Sequence, residues 1–375
     1  MRSRDRGKGF NISKSAESSK LTKVMEYPEA INTNSKERFN TAAKGGIPDR
    51  VPVVHYALGA SKSILDDLGW TWGDIFWDRE KSLKAVLRAR ELLPHDNVCS
   101  LLSPVCGIDA LGVDVLFSEI EGPHIDYKKP FLSSWDDLER LEVPDPEKDG
   151  TMPLRIGLAE LLSKNFGKEL ALLGGFGGIS TWAMQLRGAR NFVLDTKKNP
   201  DFQTRYMEFL TECAIEFCVA QVEAGCDWII SAEDAFAIEV LDPERAWKVN
   251  GVHAKRLASA VHKAGAGYIA HCCGNAKFSL DKMADTGADM LSLDKVDLAE
   301  TKEKIGSRVA LMGNIKLRTL MYGSPNDVEA ECSDAIAKAS KGGGYLLSSG
   351  YIMAVATPLK NVAALIQSAE KYGRY

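Results

Sequence analysis

His271, Cys272 and Cys273 close a short apolar run, 268–272, that has the length and composition of a buried β-strand. Residues two apart in an extended chain share a face, so His271 and Cys273 point together while Cys272 points away. An imidazole and a thiolate on one face at a strand end suit Zn²⁺, a borderline-soft cation that takes N, S and O donors. A packed thiol beside a hydrogen-bonded histidine would leave the same triplet. What favours a metal is position: Asp294 ends the next strand-like run, and Glu233 and Asp234 end the preceding one, so carboxylates flank the pair on both sides.

The elements that must position these groups follow from periodicity. Short apolar runs at 51–56, 97–101, 170–173, 228–232, 268–272, 290–294, 309–312 and 345–348 are flanked by Gly, Asp or Asn, as parallel strands covered on both faces should be. Between them lie longer amphipathic stretches such as 201–224, where Phe209, Cys213, Phe217 and Val222 recur near one helical turn, and 243–264. Eight strands alternating with helices predict an α/β chain folded as a single (β/α)8 TIM-like barrel. A doubly wound open sheet is the alternative, but no Gly-x-Gly-x-x-Gly follows the first strand. The segment 114–143, with a β-like run at 113–118, reads as a small cap insertion beside the mouth. Residues 1–34, rich in Ser, Lys, Arg and Asn, read as a flexible N-terminal arm, and 35–375 as the barrel, its first helix starting with Ser35 as the cap.

Barrel enzymes carry their chemistry where strands end and βα loops begin. That rule brings together His55 and Tyr56, Gly174 to Ser180, Glu233 and Asp234, His271 and Cys273, Asp294, Asn314 and Tyr351, with Glu119 contributed by the cap. The glycine-rich stretch 174–178 lacks the Lys-Ser/Thr of a phosphate-binding loop, so it reads as close backbone approach to a substrate or partner.

Composition bounds the function classes. The 375 residues are 45% hydrophobic and 26% charged, with 47 Lys and Arg against 51 Asp and Glu for a net charge of -4, which provides no basic surplus for a nucleic-acid backbone. No apolar run approaches the roughly 20 residues needed to span a bilayer, and the N-terminal segment lacks the apolar core of a secretory signal, which together read as cytoplasmic. The eight cysteines form no disulfide framework and read as reduced thiols; His95, His124, His253 and His262 read as surface residues.

Several segments together resemble a family. They are His271-x-Cys273-Gly274-Asn275, Thr286-Gly-Ala-Asp-Met-Leu-Ser-Leu-Asp294, Ala310-Leu-Met-Gly-Asn314, Gly343-Gly-Tyr-Leu-Leu-Ser-Ser-Gly350 and Thr357-Pro358-x-x-Asn361 in the C-terminal half. The N-terminal half adds Pro48-Asp49-Arg50-Val51-Pro52-Val53, Phe117-Ser118-Glu119-Ile120 and Leu186-Arg187-Gly188-x-x-Asn191-Phe192. In order and spacing they resemble the uroporphyrinogen decarboxylase superfamily over 35–375. That resemblance implies a TIM-like barrel and one of two chemistries, porphyrinogen decarboxylation or methyl transfer with corrinoids or thiols.

The decarboxylase branch carries an Arg-rich loop after the first strand, where this chain reads His55-Tyr-Ala-Leu-Gly-Ala-Ser61. The branch's key aspartate falls on Glu119, its tyrosine on about Met184 and its last-strand histidine on Tyr351. The methyltransferase branch fits better. Its thiol-methylating members bind zinc through His-x-Cys plus a second Cys, with a carboxylate nearby in some, which makes His271, Cys273 and Asp294 the expected ligands. The second Cys departs: Tyr351 stands in its segment. One sulfur fewer makes a harder, more Lewis-acidic metal, better suited to polarising an ether oxygen than to carrying a reactive thiolate.

The expected activity is therefore zinc-dependent O-demethylation of a methoxylated aromatic, the methyl passing to Co(I) of a separate corrinoid protein, since no Asp-x-His-x-x-Gly corrinoid motif is present. Expected catalytic groups are Glu119, Glu233 and Tyr351. Expected substrate contacts are His55, Tyr56, Phe176, Trp182, Asp234 and Asn314. Expected partners are the corrinoid protein and a small methyl donor, without nucleic acid or membrane, and a homodimer is compatible with the sequence. The alternatives are the reverse flow, from a methylcorrinoid to a thiol such as coenzyme M, a decarboxylase, and an inactive barrel used as a binding module.

Overall fold

The computed structural model describes residues 34–118, 122–126 and 128–375. Its strands are β1 Val53–Val54, β2 Asn97–Cys99, β3 Val115–Ser118, β4 Gly122–Ile125, β5 Ala171–Phe176, β6 Trp228–Ala232, β7 Gly267–Cys272, β8 Met290–Leu293, β9 Ala310–Ile315 and β10 Tyr345–Ser349. Eight form one parallel sheet in the order β1-β10-β9-β8-β7-β6-β5-β2. All eight fall on the apolar runs read from the sequence. β3 and β4 make a separate antiparallel hairpin in the expected insertion.

The sheet curls into a barrel whose ends meet at β1 and β2, and polar side chains complete the ladder there. Asp96 donates its backbone N–H to Val53 O at 3.0 Å and accepts the Val53 N–H on Oδ2 at 2.7 Å. Asn97 does the same for His55, accepting its N–H on Oδ1 and donating from Nδ2 to its carbonyl, both at 2.9 Å. Asp96 is fully buried and also receives Arg38 at 2.7 Å and Arg50 at 2.8 Å. Burial alone would raise its carboxyl, but the two guanidinium groups outweigh burial and hold it below the usual range. Helix Ser35–Ala43 is pinned to the seam through Arg38; its N-cap is Asn34, whose side chain accepts from Glu37, so the helix begins on Ser35 rather than being capped by it.

The strands are short because each is buried on both faces, every residue of β5, β6, β8 and β10 lying below the surface. Each fully buried Leu or Ile contributes roughly 1.5–3 kcal/mol relative to exposure. Helices cover the outside with one apolar stripe each. Val252–Ala264, for example, buries His253, Ala254, Leu257, Ala258 and Val261, and stops at Gly265, whose φ of 106° only glycine takes easily. The stretch 243–264 is not one regular helix: a π-turn, Trp247–Gly251, interrupts it. The bulge turns Asn250 into the protein, where it meets Glu233. Among the described residues no helix is long and apolar enough to cross a membrane.

Two histidines expected on the surface are buried in this helical layer. His95 is 6% exposed with Nδ1 2.6 Å from Leu93 O, and His253 is 7% exposed with Nδ1 2.9 Å from Thr211 Oγ1. Burial, aided by Arg90 beside the first and Arg256 beside the second, pushes both down to about 4. The unfolded chain protonates them near 6.5, so their contribution is complete above that pH and is lost as pH falls toward 4. The urea midpoint should therefore drop between pH 6.5 and 4.5, before ordinary carboxylates titrate, with an upper limit of about 3 kcal/mol per histidine at the acid end. His253→Gln should flatten that slope; a flat wild-type profile would refute the assignment.

Candidate metal centre

The barrel register lines up the residues around His271. Ala232, His271, Ser292 and Met312 are mutual partners on β6, β7, β8 and β9, and so stand at one level with side chains on one face. Tyr56, just past β1, reaches Ser292 and Met312 from a strand that pairs with neither, which identifies that face as the lumen.

Among the described residues one group of three metal-ligating side chains comes together here: Asp234, His271 and Cys273, with donor atoms all within 4.8 Å of one another. His271 Nε2 lies 3.0 Å from Cys273 Sγ, as the shared strand face requires. Asp234 arrives from the β6 end and is fixed twice. Its Oδ1 accepts the Cys273 backbone N–H at 2.8 Å, and its Oδ2 lies 2.9 Å from Thr181 Oγ1. Tyr351, just past β10, stacks on His271 with ring centroids 5.4 Å apart and planes inclined by 24°. Cys272 is fully buried and stands on the opposite face of β7.

Electrostatics make this a place for a cation. Burial pushes the Cys273 thiol well above its usual range, and the Asp234 carboxylate adds to the shift. Burial lowers the His271 imidazole, against the pull of Asp234. A thiol, a neutral imidazole and a carboxylate with converging lone pairs invert their proton preferences when a divalent ion neutralises them, because a coordinating thiol is deprotonated. One N, one S and one O donor fit zinc, and three protein ligands leave a tetrahedral ion one position for water or substrate.

The carboxylate of the cluster is thus Asp234, expected as a substrate contact, and not Asp294. The Asp294 side chain packs against Gly350, where an added Cβ would come within 2.6 Å of its Oδ1. Its carbonyl accepts from Asn314 Nδ2 at 2.8 Å, and the same amide reaches Val296 O at 2.8 Å, so Asn314, an expected substrate contact, ties down the loop after β8. Burial, with Glu239 and Asp234 nearby, raises the Asp294 carboxyl despite Lys295.

Several other expected residues are placed elsewhere. Glu233 faces the helical layer, bonded to Ser231, to Asn250 at 2.8 Å and to Tyr268 at 3.2 Å, because it continues the outward series of Ser231. Burial raises its carboxyl. His55 likewise turns outward, its ring 5.1 Å edge-on from that of His95 beside Val86 and Ala89. Tyr56 is 2% exposed and spends its hydroxyl inside the barrel. Phe176 and Trp182 are fully packed, T-shaped at 4.9 Å, with Trp182 Nε1 on Pro104 O at 3.3 Å. Glu119 and the arm 1–33 lie outside the described residues. Thr181, Ser292 and Met312 were not singled out from the sequence; Ser292 sits inside the Thr286 to Asp294 segment, and only its register with His271 marks it.

The chain matches the uroporphyrinogen decarboxylase (URO-D) family over residues 34–372. It is 26% identical over 344 residues to the methylcobamide:CoM methyltransferase MtaA of Methanosarcina barkeri, covering 90% of this chain and 98% of that one. It is 24% identical over 274 residues to a uroporphyrinogen decarboxylase of Pseudoalteromonas atlantica, covering 70% and 75%. Among solved structures, a methyltransferase from Methanosarcina mazei superposes with a TM-score of 0.81 at 26% identity, covering 91% of this chain and 99% of that one.

Proposed function

We propose that this chain, which belongs to the uroporphyrinogen decarboxylase family, is a methyltransferase that works with a corrinoid on a separate protein, and that its methyl donor is an O-methyl compound, preferably a methoxylated aromatic. Full-length similarity to a methylcobamide:CoM methyltransferase supports the corrinoid link. The decarboxylase reading is disfavoured by the segment after β1, residues 57–61, which offers no arginine to a polycarboxylate substrate.

The observation that carries the ether-cleaving direction is the donor set: one sulfur, one nitrogen and one carboxylate, with the Tyr351 phenol against His271 in the segment where the sequence resemblance to the thiol-methylating branch implies a second Cys. Zinc held by Asp234, His271 and Cys273 would supply Lewis acidity toward the methoxy oxygen. Around it the chain's own groups do the rest. Asp234 and Cys273 carry the compensating negative charge, and Thr181 with the Cys273 amide keeps the carboxylate aimed. In this reading Tyr351, whose ring stacks on His271, gives its phenolic proton to the departing oxygen. A corrinoid on the partner protein would supply the electron pair that accepts the methyl group; the pair of the broken methyl C–O bond would pass to oxygen, and the Tyr351 phenolate would regain its proton from solvent.

A second reading reverses the flow, from methylcorrinoid to a thiol, and is favoured by the activity in the relative's name. Zinc-loaded protein incubated with methoxybenzenes and Co(I)alamin should produce the absorbance of methylcobalamin. If no methoxyarene is demethylated while methylcobalamin and a thiol yield a thioether, the direction is the reverse one.

A further inference from the structure

We infer that Ser292 and Tyr56 are positioning residues of the metal centre: a buried hydroxyl chain ending on the Met312 thioether fixes which nitrogen of His271 faces Cys273 and Asp234. The inference rests on reading that cluster as a metal site.

Ser292 Oγ lies 2.9 Å from His271 Nδ1, Tyr56 OH lies 3.2 Å from Ser292 Oγ, and Met312 Sδ lies 3.2 Å from Tyr56 OH. Ser292 is fully buried, Tyr56 is 2% exposed, His271 is 3% exposed and Met312 is fully buried, so the chain runs inside the barrel. Its geometry follows from sheet register, since Ser292 is the partner of His271 on one side and of Met312 on the other.

Tyr56 has one proton and two acceptors within reach, Ser292 Oγ and the Met312 thioether. Ser292 Oγ has two lone pairs, so it can accept from Tyr56 and from His271 Nδ1–H together. With Nδ1 engaged by Ser292, Nε2 is the nitrogen on the side of Cys273 Sγ, 3.0 Å away. An imidazole that ligates through Nε2 carries its hydrogen on Nδ1, where Ser292 Oγ accepts it. A metal-binding imidazole needs this kind of outer partner, and its loss typically costs 10–100-fold in affinity. The substrate role expected for Tyr56 is thereby replaced by one behind the metal.

The test is the zinc dissociation constant of the full chain, measured by competition with a chromophoric chelator, together with the melting temperature of the metal-free protein. Ser292→Ala should weaken zinc about 10–100-fold while leaving metal-free melting nearly unchanged, and Ser292→Thr, which keeps the hydroxyl, should restore most of the affinity. Tyr56→Phe and Met312→Leu, which leave Ser292 in place, should each weaken zinc by less. Wild-type affinity in Ser292→Ala would overturn the inference with the metal reading intact. Equal losses of affinity and melting temperature in Ser292→Ala and Ser292→Thr would overturn it in favour of simple packing. A wild-type protein that binds no zinc would instead sink the metal reading itself.

Discussion

Asp234→Asn is expected to remove tight zinc binding, whereas Asp294→Asn keeps it. Asn is nearly isosteric with Asp, so its Oδ1 still accepts the Cys273 N–H, now at 2.8 Å from Asp234, and its amide still pairs with Thr181. What disappears is the charge and one anionic donor of the cluster. The loss should exceed the 10–100-fold typical of outer partners and match those of His271→Ala and Cys273→Ala. Metal-free Asp234→Asn should melt no lower than wild type, because a carboxylate next to a buried thiol opposes burial in the absence of a cation. Cys272→Ala serves as control: its thiol is buried on the other face, so zinc is retained and only packing suffers. Retained zinc in Asp234→Asn with loss in Asp294→Asn would return the ligand role to Asp294.

Tyr351→Phe should lower the rate of ether demethylation by roughly 10²–10⁴-fold, the usual worth of a positioned proton donor. Phenylalanine keeps the ring that stacks on His271 at 5.4 Å, so the substitution isolates the hydroxyl from the packing. Zinc content should be unchanged. Tyr351→Cys asks the reciprocal question. It puts at this position the second sulfur that the sequence resemblance to the thiol-methylating branch implies, so X-ray absorption should show one additional Zn–S contact. The more electron-rich metal should cleave ethers poorly and support thiol methylation from methylcobalamin. Demethylation at the wild-type rate in Tyr351→Phe would remove the phenol from the proposed chemistry.

Much of the architecture is legible along the chain, because parallel strands covered on both faces leave short apolar runs that no amphipathic helix imitates. All eight barrel strands lie on such runs, and the period-two argument places His271 and Cys273 together, as the 3.0 Å Nε2 to Sγ distance shows. Past a strand the same argument needs to know which face is the lumen. Glu233 and Asp234 both follow β6, and the apolar run by itself does not say which of them turns inward. Register with His271 puts Ala232 on the lumen side, so Glu233 joins Ser231 on the outer face and Asp234, opening the 3-10 turn Asp234–Phe236, joins Ala232 inside. For Asp294, just past β8, the loop conformation is set by a tertiary hydrogen bond, its carbonyl accepting from Asn314 on β9.

What the sequence alone determined is therefore the barrel, the His-x-Cys pair and the missing second cysteine, all of which rest on local periodicity or on residue identity. Tertiary structure decided the third ligand and the hydroxyl chain behind the first. Tyr56 just past β1, Ser292 on β8 and His271 on β7 come from three different strands or strand ends, and whether their side chains meet depends on the relative shift of those strands in the closed barrel, a quantity that closure fixes globally and no single segment encodes.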